Sequence, residues 1–202
     1  MPFTNAAKSN MLTALGITHI SAHTGFPGTT GANELAGGGY ARKPISFSAP
    51  VAGDMAISAA ALIDVGAIGV SVGWIGGWSA LTGGAFLGYS PNGLATVSDV
   101  KEYTVDVASD VLTSPAHGLA DTTQIVFYGG TPPGGLVEGT PYFVRDSAAN
   151  SFKVAATSGG VAIDLTSTGD TKCVVSKIVI ETYVGPGGQI NVTTFTQSLN
   201  LA

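Results

Sequence analysis

The chain has 202 residues, a formal net charge of −5 and only 10% charged side chains, against a usual share of ~25%. Its eight lysines and arginines are scattered singly, which argues against a nucleic-acid partner because phosphate binding needs clustered positive charge. The single cysteine, Cys173, excludes an internal disulfide and a metal site built from several cysteines. A surface with so few charges favours packing into an assembly.

The first predicted element is a short helix near the N-terminus. Thr4 is a suitable N-cap residue, and Gly16 suits the left-handed position that follows a helix. Apolar residues between them recur at helical spacing and predict one buried stripe. This stripe comprises Ala7, Met11, Ala14 and Leu15. The segment lacks the long apolar run of a secretory signal peptide.

The next predicted element is a strand, ITHISAHT, in which apolar and polar residues alternate. His19 and His23 share its polar face, but four residues along a strand span about 13 Å, too far for both to bind one metal ion. We therefore expect an exposed or interface pair of histidines and no metal site.

Glycine dominates the stretch that follows, SAHTGFPGTTGANELAGGGYAR, which is Ser21–Arg42. Its composition leaves three interpretations open: a ligand cradle, a flexible linker or a loop of fixed shape. After it come a predicted strand, KPISF, and the segment AISAAALIDV, whose pattern is ambiguous between strand and helix.

The longest uncharged run lies between Asp64 and Asp99. Its middle has a period of two, which predicts a strand with one buried face rather than a membrane-spanning helix. The residues on that face are Ile68, Val70, Val72 and Trp74.

Residues 69–73 in this run match G-x-S-x-G, the nucleophile-elbow motif. That motif requires a sharp turn at the serine followed by a helix, whereas Ser71 lies in a predicted strand that continues into WIGGW. We therefore expect no catalytic residue, no cofactor and no enzymatic activity. The glycines are instead expected to let a second backbone approach closely.

A predicted hairpin follows, with Gly83 and Gly84 at its turn. Aromatic rings stack on the apolar faces of sugars, so Trp78 and Tyr89 are candidate ligand contacts. Trp74 is expected to face the core, as large aromatic residues usually do.

From about Ser98 the pattern changes to short strands at intervals of about 8–12 residues with turn signals between them. This predicts an inserted small β module at 98–177, and a core formed by 1–97 and 178–202. The core closes with the strands SKIVIETYV and QINVTTFTQSLNL around a turn at Gly185–Gly188. The predicted fold is mainly β: an antiparallel β-sandwich-like core with one short N-terminal helix and an inserted β domain.

Four segments occur in a specific order: AAKSNMLTAL, ITHISAHT, GFPGTTGANELAGGGYAR and KPISF. Together with GVSVGWIGGWSALTGGAFLGY and IVIETYVGPGGQINVTTFTQSLN, they resemble small bacteriophage virion proteins described as tail fibre or minor tail proteins. This resemblance covers about residues 1–97 and 178–202. The middle of the chain is similar to a separate β module found in phage virion surface proteins. Simpler family members lack that insert, so the family does not imply its role.

Beside this resemblance, a loop of fixed shape is the interpretation that we favour for the glycine-rich stretch. Short polar side chains can satisfy backbone groups inside such a loop; these are Thr29, Thr30 and Asn33. Glu34 and Arg42 can pair across it, and Tyr40 can anchor it. We predict a subunit contact formed by Tyr40, Glu34 and Arg42.

The resemblance implies a non-enzymatic structural protein of the virion, made in the host bacterial cytoplasm. Its implied position is the tail fibre or tail tip, where it contributes to host attachment. A capsid decoration or head-fibre protein is the first alternative, and a carbohydrate-binding module is the second. The expected partners are copies of the chain, other virion proteins and a host surface glycan or protein.

Overall fold

The computed structural model describes residues 3–66, 69–94, 96–183 and 187–199. Antiparallel strands dominate them, and a helix lies near the N-terminus, so the prediction of a mainly β fold is confirmed. The chain divides into two compact units. We name them the core unit, Met1–Val97 with Val179–Ala202, and the barrel unit, Ser98–Ile178. In the described part of the chain, no helix has the length and apolar character needed to cross a membrane.

The elements of the core unit are α1 (Asn5–Ala14), β1 (His19–His23), β2 (Lys43–Pro44), β3 (Asp54–Ala56), β4 (Ala61–Gly66), β5 (Val70–Val72), β6 (Trp74–Trp78) and β7 (Phe86–Pro91). A short 3-10 helix, Val97–Asp99, precedes the barrel unit's strands, which are β8 (Thr104–Asp106), β9 (Val111–Thr113), β10 (Gln124–Tyr128), β11 (Pro141–Arg145), β12 (Ser151–Ala155) and β13 (Val174–Lys177). The core unit then resumes with β14 (Glu181–Tyr183), β15 (Gly188–Val192) and β16 (Thr196–Ser198).

Helix α1 begins where its cap predicts and buries a different face from the predicted one. The Thr4 hydroxyl oxygen accepts a hydrogen bond from the N–H of Ala7 at 3.2 Å. Leu12 is the buried residue, at 3% exposure, whereas Met11 is 46% exposed. The predicted stripe through Met11 is therefore wrong. Leu12 lies three positions before Leu15, which packs against the core, and this spacing turns that face inward.

A four-stranded antiparallel sheet, in the order β2-β1-β6-β7, forms the first layer of the core unit. One of its faces carries Ile20, Ala22 and Ile75, which are all buried in the hydrophobic core. The opposite face carries the polar residues of β1 and the aromatic residues of β6 and β7. That second face is the floor of the site described below.

Two antiparallel strand pairs, which we name the ribbon, form the second layer. β4 pairs with β15, with a register shift between Gly188 and Gln189, and β5 pairs with β14. Ala61 lies opposite Val192 in the first pair, and Val72 lies opposite Glu181 in the second. Burial alternates along β4 and β15, as expected for strands with one face in a core. The core therefore lies between two layers, as in a β-sandwich. The ambiguous segment AISAAALIDV proves to be strand, since it supplies part of β3 and most of β4.

The predicted hairpin is present, because β6 pairs with β7. Gly83 and Gly84 lie in its connection with φ of 61° and 72°, a conformation that glycine adopts without steric cost. The connection spans residues 79–85 and is longer than a two-residue turn. Trp74 is buried, but it packs against Phe26 and Tyr89 on the aromatic face of the sheet and not in the hydrophobic core. The expectation that it faces the core, on one face with Val72, is therefore wrong.

The barrel unit closes its sheet on itself. Its six strands have the order β13-β10-β11-β12-β9-β8. Just before β8, Lys101 exchanges two backbone hydrogen bonds of 2.8 and 2.9 Å with Val175 of β13. The segment 101–106 thus joins both ends of the sheet, which protects edges that would otherwise pair with other chains. Phe127, Phe152 and Leu165 are buried inside.

Two predictions concern residues outside the described ranges. One is the position of Ile68 on the buried face of the uncharged run, and the other is the turn at Gly185 and Pro186.

Candidate functional site

The glycine-rich loop, Thr24–Arg42, lies along the edge of β1 and takes the place of a neighbouring strand. The N–H of Leu35 donates to the carbonyl of Ala22 at 2.9 Å. The Tyr40 hydroxyl accepts from the N–H of Ala22 at 3.1 Å, and His23 and Glu34 form an antiparallel bridge. The loop therefore satisfies backbone groups that a strand partner would otherwise satisfy.

Local hydrogen bonds fold the loop back on itself. The N–H of Ala32 donates to the carbonyl of Pro27 at 2.9 Å. Asn33 has a φ of 59°, and its side-chain amide donates to the carbonyl of Phe26 at 2.8 Å. Asn33 thus plays the local role predicted for it, whereas Thr29 and Thr30 are exposed. Of the three interpretations, the loop of fixed shape agrees with these contacts.

The expected pair of Glu34 and Arg42 is present and bidentate. Arg42 Nε and Nη2 each donate to one carboxylate oxygen of Glu34 at 2.8 Å. The side chain of Arg42 is only 10% exposed and that of Glu34 only 20%. Tyr40 also donates to Glu34, at 3.1 Å, and burial raises the pKa of its phenol. Two parallel hydrogen bonds fix the orientation of the guanidinium as well as its position.

Arg42 also ties the loop to the β6–β7 connection. Its Nη1 donates to the carbonyls of Ala80 and Gly83 at 3.1 and 2.6 Å. The guanidinium carbon lies 3.4 Å from the ring centroid of Trp78, a cation–π arrangement. Neither contact was predictable from the sequence, because the partners lie in a different loop and on a different strand.

An aromatic layer separates the loop from the sheet. Gly31 has a φ of 75°, and a β-carbon there would collide with the rings of Trp78 and Phe86. Trp78 is buried, so little of its surface is open to a ligand. Tyr89 is half-buried and packs edge-on against Phe26 at 5.3 Å between centroids. A ligand contact at Trp78 and Tyr89 stays a prediction.

A chain of polar contacts runs through this layer. The Trp78 indole N–H donates to Ser21 Oγ at 2.9 Å. Ser21 Oγ lies 2.7 Å from His23 Nε2, and His23 Nδ1 lies 2.7 Å from the carbonyl oxygen of Ala32. Ser21 and His23 are both 0% exposed, so the expectation that His23 is exposed or at an interface is wrong. Burial lowers the pKa of His23.

The sequence offered one signal for this buried cluster, which is Gly76. It lies opposite Ser21 across the sheet, and a β-carbon there would collide with both Ser21 Oγ and His23 Nε2. A glycine inside a strand marks a close approach of this kind. Alternation alone assigned the polar face of β1 to the outside, because it cannot show that a loop covers that face.

Two serines have surroundings that bear on the elbow motif. Ser71 lies in β5, is followed by strand β6, and shares a hydrogen bond of 2.9 Å with Thr182. Ser21 has a histidine partner, His23, but is fully buried beneath the loop, and a nucleophile needs access to its substrate. Among the residues that the structure describes, no group of three or more His, Cys, Asp or Glu side chains is arranged to hold a metal ion.

The structure brings the three predicted contact residues, Tyr40, Glu34 and Arg42, into one hydrogen-bonded cluster. Their polar atoms bind partners within the same chain. Their contact with another copy stays a prediction.

A family model described as "Podophage GP4 fiber I protein gp80" matches residues 4–103. The matched segment contains α1, the glycine-rich loop and β1–β7. Comparison with curated proteins and with solved structures finds no match. The matched segment, just under half of the chain, is therefore similar to a phage fibre protein family, in agreement with the resemblance of its N-terminal segments.

Proposed function

We propose that the chain is a non-enzymatic structural protein of a bacteriophage tail fibre and that it takes part in host attachment. The family match across α1, the glycine-rich loop and β1–β7 carries this proposal. The core unit would join the virion, and the barrel unit would face outward. The closed sheet of the barrel unit supports an outward position, since exposed strand edges promote unwanted pairing.

The glycine-rich loop is our proposed contact with a neighbouring copy. Tyr40, Glu34 and Arg42 would hold its shape from within, while exposed residues such as Thr29 and Thr30 meet the partner. A loop held in one conformation loses little entropy when it binds. Many such contacts, repeated by symmetry, would give a stable particle without strong single contacts.

Immunogold labelling of intact virions tests the position. We expect gold at the tail; gold spread over the head would overturn the tail assignment and favour a head fibre or decoration protein.

A binding assay tests the attachment role separately. Purified protein should bind host cells saturably, and a variant lacking residues 98–178 should not bind. Equal binding by both proteins would contradict an attachment role for the barrel unit.

A further inference from the structure

The hydrogen bonds around His23 are compatible with only one protonation state. A carbonyl oxygen can only accept, so the His23 Nδ1 that faces Ala32 at 2.7 Å carries a hydrogen. The Trp78 indole N–H can only donate, and Ser21 Oγ accepts it at 2.9 Å. Ser21 then gives its own hydrogen to the bare Nε2 of His23 at 2.7 Å. A neutral imidazole satisfies every group in this chain.

A second proton on His23 would disrupt the chain. The new Nε2–H would have to donate to Ser21 Oγ, and the serine hydrogen would lose its acceptor. Ser21 and His23 are 0% exposed, and the space at Gly76 is too small even for a methyl group. No water can reach this site to pair with the unpaired serine hydroxyl or to solvate the imidazolium. Both effects raise the free energy of the closed, protonated state.

The charged groups that face His23 do not offset this cost. They are Glu34 and Arg42, both in the glycine-rich loop. Because the two form a bidentate pair, attraction by one is largely opposed by repulsion from the other. Tyr40, the third titratable group of the cluster, is a phenol whose pKa is raised by burial. The residues that β6 and β7 turn toward His23, such as Gly76 and Phe86, are uncharged.

We propose that His23 is an acid-sensitive latch of the glycine-rich loop, which releases the loop from β1 when Nε2 takes up a proton. Release breaks the contact with Ala32 and then the backbone bond between Leu35 and Ala22. The imidazolium reaches water, and Ser21 Oγ still accepts from Trp78 but no longer donates to His23, which changes the surroundings of the indole N–H.

Amide hydrogen exchange across a pH series tests the latch. The reporter amides are Leu35, which donates to Ala22 of β1, and Thr24, which follows β1 and donates to Asn33 within the loop. The released form binds one more proton than the closed form, and the ordinary pKa of a histidine is 6.5. As the pH is lowered from 6.5, the protection factor of these amides should therefore fall about ten-fold for each pH unit. The fall should stop at the pKa that His23 has in the closed form. The amide of Val175, in the barrel unit, should keep its protection.

Two variants separate His23 from the other histidines. His23→Asn places an amide N–H near the position of Nδ1–H and cannot titrate in this range, so loop protection should become independent of pH. His19→Gln is the matched control on the same strand and should keep the dependence. The same dependence in His23→Asn, or none in the unmodified protein, would overturn the latch.

A measurement on the unmodified protein covers the case in which His23→Asn fails to fold. In an NMR titration the imidazole of His23 and the indole N–H of Trp78 should change with one midpoint, below pH 6.5. A His23 that titrates without any change at Trp78 would contradict the proposal.

Discussion

At the scale of single residues, Arg42 holds the site together through three kinds of contact at once. Its guanidinium pairs with Glu34, donates to two carbonyls of the β6–β7 connection and lies over Trp78. A lysine cannot reproduce this combination, because an ammonium group is neither planar nor forked. The loop, the connection and the sheet are thus held by one side chain.

We expect Arg42→Lys to lower the free energy of unfolding by about 2 kcal/mol, since it loses charge-assisted hydrogen bonds in a mostly buried place. Urea denaturation measures this, and a double-mutant cycle with Glu34→Gln isolates the pair. Arg145→Lys is the control, because the pair of Arg145 and Asp146 is more exposed and should contribute less than about 1 kcal/mol. Equal effects would show that Arg42 has no special role.

Two glycines of the same loop provide a matched comparison. Gly28 and Gly31 both have positive φ, but a β-carbon at Gly28 meets nothing within 4 Å, whereas one at Gly31 meets Trp78 and Phe86. Gly28→Ala should cost about 1–2 kcal/mol of stability from backbone strain alone. Gly31→Ala should cost about 3 kcal/mol or more, because steric overlap is added. Thermal unfolding measures both, and similar losses would argue against the contact with the aromatic layer.

Cys173 should be unreactive in the folded protein. It is buried, and burial raises the pKa of its thiol to about 11. At pH 8 the thiol is therefore protonated, and only the thiolate is a good nucleophile. Mass spectrometry after iodoacetamide treatment should find no labelling without denaturant and complete labelling in urea. Rapid labelling of the folded protein would contradict the buried position.

At the scale of elements, two substitutions in α1 test which face of this helix packs against the core. Leu12→Ala should cost about 2–3 kcal/mol because it leaves a cavity, whereas Met11→Ala should change stability by less than about 0.5 kcal/mol. Urea denaturation of the two variants gives the comparison. A larger loss of stability in Met11→Ala than in Leu12→Ala would instead support the buried stripe through Met11 that the sequence predicts.

The sequence predicted most strands but not what covers them. Alternation is a local property, so it identified the strand at His19–His23 and the core-facing Ile20 and Ala22. It failed for the polar face, because burial of Ser21 and His23 depends on a loop whose bonds to β1 are set by tertiary contacts. The Glu34–Arg42 pair was predictable from opposite charge within one loop. The contacts of Arg42 outside that loop were not.

At the scale of the whole molecule, each of the two units has its own hydrophobic core. We predict that residues 98–178 fold alone, with a cooperative urea transition. Phe152→Ala should lower the free energy of unfolding of this fragment by about 3–5 kcal/mol. A loss of this size is enough to unfold many small domains. Val161→Ala, at an exposed residue, should have little effect. A fragment without a cooperative transition would contradict an independent barrel unit.

The ribbon joins Val72 to Glu181, so the two strands of that pair, β5 and β14, are separated by the entire barrel unit in the sequence. During synthesis, the second strand leaves the ribosome last, after the barrel unit has had time to fold. A folded barrel unit shortens the disordered loop that the ribbon must close about four-fold, which lowers the entropic cost of closure by about 1 kcal/mol. The order of translation thus favours completion of the insert before its host, and a barrel unit that folds slowly would delay the maturation of the entire chain.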